Sequence, residues 1–165
     1  MRRYLLLFPL LLLPAQAAGL SQTVQVGAQV NRACVIAPAN QNPKINMDDY
    51  EATASYGTNF FGEVTIDVYC NRGSSAPTRK LNGNDVALNY GTALTTTLNR
   101  STGPGTLDSR VWMVHPSTYV LNDTASQFNG AQVYPTKIRA GWPTTPQFNA
   151  PSGQYAGTVT FTVEF

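Results

Sequence analysis

A chain of 165 residues is the size of one domain, and its charge is sparse: 11 Lys and Arg against 9 Asp and Glu, 12% of residues in all. Nineteen Thr and thirteen Asn supply polarity without charge. A nucleic-acid binder needs a surplus of Lys and Arg to displace counterions from phosphate, and a formal charge of +2 offers none, so DNA, RNA and anionic membrane surfaces are not expected partners.

Met1, Arg2 and Arg3 make a short cationic start, Tyr4 to Leu13 is almost wholly apolar, and Pro14-Ala15-Gln16-Ala17 puts small residues where a signal peptidase reads. This pattern predicts a secretory signal over residues 1–17 rather than a core helix. The apolar run is about ten residues, short of the roughly twenty needed to span a bilayer, and no later stretch comes close, so no transmembrane segment is expected. Removing Arg2 and Arg3 takes the formal charge to zero. Export also changes how the two cysteines are read, because thiols pair outside the cytosol. Metal binding wants more ligands at closer spacing, and a redox pair usually reads C-x-x-C. A Cys34–Cys70 disulfide is therefore expected, closing a loop that chain entropy values at roughly 4 kcal/mol.

Beyond the signal, period-two runs recur, and no stretch of helical spacing reaches three turns, so the domain is predicted to be all-β. In Val24-Gln25-Val26-Gly27-Ala28-Gln29-Val30 every second residue is apolar, and Leu20 and Cys34 share that register. Val64 to Cys70 repeats the pattern and puts its cysteine on the apolar face. Shorter strands are expected at Val86–Tyr90, Val111–Val114, Tyr119–Leu121, Gln132–Tyr134 and Lys137–Ala140, separated by turns at Asn82–Asp85, Gly103–Gly105 and Asn129–Gly130. Thr95–Thr106, rich in Thr, Ser, Gly and Asn, reads as an exposed loop. At the end, Tyr155, Gly157, Val159, Phe161, Val163 and Phe165 point one way while Thr158, Thr160, Thr162 and Glu164 point the other. So regular a strand on the last residues leaves no chain to bond its far side, and its outer edge needs a neighbour.

Residues that carry chemistry are few. His115 is the sole histidine, it precedes Pro116, and no G-x-S-x-G accompanies it. Asp48, Asp49 and Glu51 lack the alternation and glycine of a calcium loop. No catalytic residue, metal ligand or cofactor site is predicted, and the chain is not expected to be an enzyme. Trp112, Trp142, Tyr119 and Tyr134 could stack on sugars or simply fill a core. Asn99-Arg100-Ser101 and Asn122-Asp123-Thr124 match a glycosylation pattern that arises often in such a composition.

Taken together, the signal, the alternating segment before Cys34-Val35-Ile36, the strand ending in Cys70 and the terminal Gly153-x-Tyr155-x-x-Thr158-Val159-Thr160-Phe161-Thr162-Val163-x-Phe165 resemble the spore coat protein U-like domain, the pilin of archaic chaperone-usher pili. One departure is visible: Ile45-Asn46-Met47-Asp48-Asp49-Tyr50 stands where family members often show an apolar residue followed by Phe-Gly and Tyr. The resemblance implies an incomplete Ig-like β-sandwich over residues 31–165, lacking its last strand and completed by donor-strand exchange. A periplasmic chaperone would lend a strand, an outer-membrane usher would polymerise the subunits, and the fimbria at the cell surface would serve adhesion or biofilm formation. Residues 18–30 would be the donor segment for the neighbouring subunit, with Leu20, Val24, Val26, Ala28 and Val30 filling a cleft. Tyr155, Val159, Phe161, Val163 and Phe165 would line the accepting edge. The competing readings are that residues 18–30 are the domain's own first strand, that the protein is a spore-coat or surface-coat component, or that it is a secreted carbohydrate-binding adhesive module.

Overall fold

A computed structural model describes residues 25, 27–37, 42–57, 60–84, 89–116, 118–124 and 126–165. The chain divides into two units, Met1–Val30 and Asn31–Phe165. In the first, residue 25 and residues 27–30 are exposed and outside any strand; the predicted signal and Leu20, Val24 and Val26 lie outside the described residues. The second unit is all-β and sandwich-like. Its strands are β1 (Cys34–Ile36), β2 (Phe61–Cys70), β3 (Thr78–Leu81), β4 (Leu94–Arg100), β5 (Thr106–Val114), β6 (Val120–Leu121), β7 (Gln132–Gly141), β8 (Tyr155–Ala156) and β9 (Phe161–Glu164). The larger sheet runs β1-β2-β7-β5-β4-β8, with β6 also on β7; the smaller is β3-β9, and all pairs are antiparallel.

Between the sheets, Ile66, Val111, Met113, Ile138 and Ala140 meet Leu81, with Val159 and Phe161 packed against them. Each fully buried aliphatic side chain contributes about 1.5–3 kcal/mol. Tyr56, Leu98, Leu107 and Trp142 form a second cluster, and Val68, Cys70 and Tyr134 a third. The segment from Ile45 to Tyr50 docks on this core. Trp142 Nε1 donates to the Asp48 carbonyl at 3.0 Å, the Gln147 N–H donates to the Tyr50 hydroxyl at 2.6 Å, and Met47 touches two clusters. Its backbone passes so close over β2 that the Asn46 carbonyl leaves no room for a Cβ at Gly62.

Several expected boundaries move. Thr95–Thr106 is not a loop: it is most of β4, a turn and the start of β5. Leu94, Thr96 and Leu98 turn inward while Thr95, Thr97 and Asn99 face solvent, so three consecutive threonines hide a period-two pattern that their β-branched side chains suit. The turn is confined to residues 101–105, where Gly103 and Gly105 take φ of 79° and 140°. Residues 85–88 of the expected Val86–Tyr90 strand lie outside the described residues, and Tyr90 opens a 3-10 turn, Tyr90–Thr92, capped by Asn89.

Gln132–Tyr134 and Lys137–Ala140 are one strand that runs through Pro135. The Ala37 N–H donates to the Asp67 carbonyl at 3.1 Å, which turns the backbone of Asp67 toward β1 and away from its partner Pro135. By the alternation of the ladder, Pro135 directs its nitrogen away from β2, between the stretches of β7 that pair with β6 and β5, and no ladder bond is lost. The C-terminal stretch, expected as one strand, is two. Tyr155 and Ala156 pair with Arg100 and Asn99, whereas Phe161–Glu164 pairs with β3 in the other sheet. Inward and outward alternation survives such a change of sheet, which is why the pattern alone does not reveal it.

Candidate functional site

The C-terminal strand is bonded along one edge. In its register Thr78 opposes Glu164, Arg79 opposes Val163, Lys80 opposes Thr162 and Leu81 opposes Phe161. The Asn82 N–H donates to the Thr160 carbonyl at 2.8 Å, and the Thr160 N–H donates to Asn82 Oδ1 at 2.8 Å. Bonded residues alternate along an antiparallel ladder, so Thr160, Thr162 and Glu164 spend their backbone groups on β3. The N–H and C=O groups of Phe161 and Val163 therefore point to the opposite edge, where no strand pairs with β9 among the described residues. Asn82 closes this end with φ of 48°, a left-handed conformation that Asn tolerates, and Lys80 Nζ to Glu164 Oε1 at 2.7 Å ties the other.

The edge strand β1 repeats the arrangement from the opposite sheet. The Asn71 N–H donates to the Ala33 carbonyl and the Ala37 N–H to the Asp67 carbonyl, both at 3.1 Å, so the odd-numbered residues bond to β2. Cys34 and Ile36 consequently aim their backbone groups off the other edge of β1, where no strand pairs among the described residues. A Cys34–Cys70 disulfide, between residues that oppose each other at a Cα separation of 4.1 Å, fastens this three-residue strand to β2. Cys34 and Ile36 from β1 and Phe161 and Val163 from β9 all pack on the same buried Val68, Cys70 and Tyr134. Although β1 and β9 share that cluster, they are not paired with each other, and all four covering side chains remain half-buried. An extended strand laid along β9 would find unpaired backbone groups and, beneath them, apolar surface for alternate side chains.

Of the residues expected at this edge, Val159, Phe161 and Val163 are half-buried and face the core, and Phe165 is exposed. Tyr155 lies elsewhere, in β8, packed on the second cluster. Ala28 and Val30 are exposed. Nothing in the alternation of residues 34–36 singled out β1 as a second open edge; only its pairing partner does. Trp112, Trp142 and Tyr134 are buried, and Tyr119 alone of that aromatic group stands exposed, its ring 5.8 Å from that of Tyr134. The side chains of Asp48, Asp49 and Glu51 face solvent, and among the described residues no group of His, Cys, Asp and Glu gathers around a metal position. No helix among them is long and apolar enough to cross a membrane. No protein-family model matches the chain, and no curated protein matches it.

His115 sits beside the buried guanidinium of Arg79, whose Nη2 donates to the Pro116 carbonyl at 3.1 Å and whose Nη1 reaches Thr136 Oγ1 at 3.4 Å. Burial first, and the charge of Arg79 second, hold the imidazole below its ordinary 6.5. Hydrogen bonds from Lys137 and then Arg139 hold the Glu63 carboxyl below its ordinary 4.5, at 2.9 and 2.6 Å. Both folded values are depressed, so the unfolded chain takes up each proton first and stability is lost as pH falls. The His115 share is present above about pH 6.5 and goes as acid is added below it; the Glu63 share goes below about pH 4.5. Urea midpoints should therefore decline from pH 7.5 to pH 4, and His115→Asn should flatten the upper part of that curve. A midpoint that rises between pH 7 and pH 5.5 would contradict the placement of His115.

Proposed function

We propose that the protein is an exported structural subunit of a surface fibre, polymerised by donor-strand complementation: residues 18–30 of one copy complete the sandwich of the next, after a chaperone has held the site open for an usher. The observation that carries this reading is the β9 edge, where the backbone groups of Phe161 and Val163 have no strand partner among the described residues, above a half-covered cluster that β1 flanks without closing. Leu20, Val24, Val26, Ala28 and Val30 match it as alternate fillers. Four large aliphatic side chains, each worth about 1.5–3 kcal/mol on burial, offer on the order of 6–12 kcal/mol before the cost of ordering the segment.

Two chains test the reading. A chain starting at Asn31 is expected to fold when co-produced with its chaperone and to fail to polymerise. A chain with Gly19–Val30 copied after Phe165 through a flexible linker is expected to be a stable monomer without the chaperone, because the tethered strand acts at high effective concentration. Size-exclusion chromatography and thermal melting read both. A truncated chain that fails to fold whichever chaperone is supplied, beside a residue 18–165 chain that is a stable monomer alone, would mark residues 18–30 as an ordinary first strand.

A further inference from the structure

Register places an apolar row on the outer face of the larger sheet. Val35 opposes Tyr69, Tyr69 opposes Val133 and Val133 opposes Val120, so four strands contribute one residue each to a single line. Their neighbours on either side in sequence, Cys34 and Ile36, Val68 and Cys70, Gln132 and Tyr134, turn to the core face. Val35 is 45% exposed and Val120 64%, and the Phe128 ring stacks on Tyr69 with centroids 4.6 Å apart. Beside the row opens a shallow cavity of about 380 Å³, lined in part by Ala33, Val35, Tyr69 and Phe128. Single exposed apolar residues are ordinary on a protein surface; a continuous row beside a concavity marks a contact site.

The geometry points to a second contact between copies of this chain, in which this row and cavity seat against the body of the neighbouring subunit that has taken up residues 18–30. The inference rests on the proposed strand exchange, and chain connectivity carries it. Ala33 lines the cavity and is joined to Val30 through Asn31 and Arg32 alone. Even fully extended, so short a tether reaches only about 10 Å. Whichever copy holds the donor segment is therefore held against this end of the larger sheet. A row of four side chains with Phe128 falls well short of the roughly 800 Å² per partner that a free association needs. Tethering removes that requirement, because a second contact made within one assembly forms at an effective concentration in the millimolar range.

A photo-crosslinking residue placed in the full chain at Val24, Val120 or Thr95, one at a time, tests this in cells that produce the protein. Probes at Val24 and at Val120 are expected to give covalent dimers, the second mapping by peptide mass spectrometry to the folded body of another copy. Thr95, exposed on β4, should give none. Val120→Asp should lower cross-linking from a probe at Phe128 about tenfold, as removal of a contact residue does, while the melting temperature stays unchanged. Dimers from Val24 with no more from Val120 than from Thr95 would overturn the second contact and leave strand exchange standing. No dimers from either Val24 or Val120 would overturn both.

Discussion

Phe161→Asp and Val163→Asp are expected to abolish accumulation of folded protein, whereas Thr160→Asp and Thr162→Asp should leave it near the parent level. Phe161 touches two of the three core clusters and Val163 one, while Thr160 and Thr162 face solvent. A carboxylate at Phe161, opposite Leu81, removes apolar contacts and places a charge with no basic residue across the pair; at Val163 it faces Arg79, whose guanidinium is already bonded to Pro116 and Thr136, and the contacts with the core cluster are lost all the same. Together these amount to about 3–5 kcal/mol, a large part of the 5–15 kcal/mol that holds a typical domain folded. A charge on the outward face stays within about 1 kcal/mol of neutral. Soluble yield and the melting temperature of whatever is recovered check the contrast. Equal tolerance of aspartate on both faces would show that β9 does not pack on the core.

Removing the disulfide by the double change Cys34→Ser and Cys70→Ser should cost roughly 4 kcal/mol, the value for a closed loop of this length. For a body of this size that corresponds to a fall in melting temperature on the order of 10–20 °C. The effect should also be local. A three-residue edge strand has few bonds of its own, and the crosslink sits at its first residue, so β1 should detach before the rest of the sheet. Amide exchange should then rise first at residues 33–37, one flank of the proposed strand-accepting edge. Non-reducing digestion of the parent protein should recover the linked peptides; two free thiols in the isolated protein would contradict the pairing.

Legibility in the sequence follows from what alternation encodes. The run Val64 to Cys70 showed its inward residues because apolar and polar side chains alternate there, and β2 carries that register back to Phe61. In β4 the same alternation exists, yet Thr occupies both faces, so the composition resembled a loop. Gln132–Tyr134 and Lys137–Ala140 join through Pro135 because a missing donor is costly only when its nitrogen faces a partner, and which way it faces depends on β2 and β1 together. Arg79 gave no sign of being buried: its long side chain lies beside Thr136 and Pro116, which are 57 and 37 residues away in the chain.

By itself the sequence determined the all-β character, the inward set Phe161 and Val163, and the availability of two cysteines for one crosslink, since each follows from local period and residue chemistry. Only the tertiary structure decided which edges stay unpaired, that the C-terminal stretch divides between two sheets, and that Val35, Tyr69, Val133 and Val120 fall in line. The reason is physical. A side chain's direction is set by its own backbone, residue by residue, but a backbone hydrogen bond needs a second strand. The identity and register of that strand come from packing among segments distant in the chain.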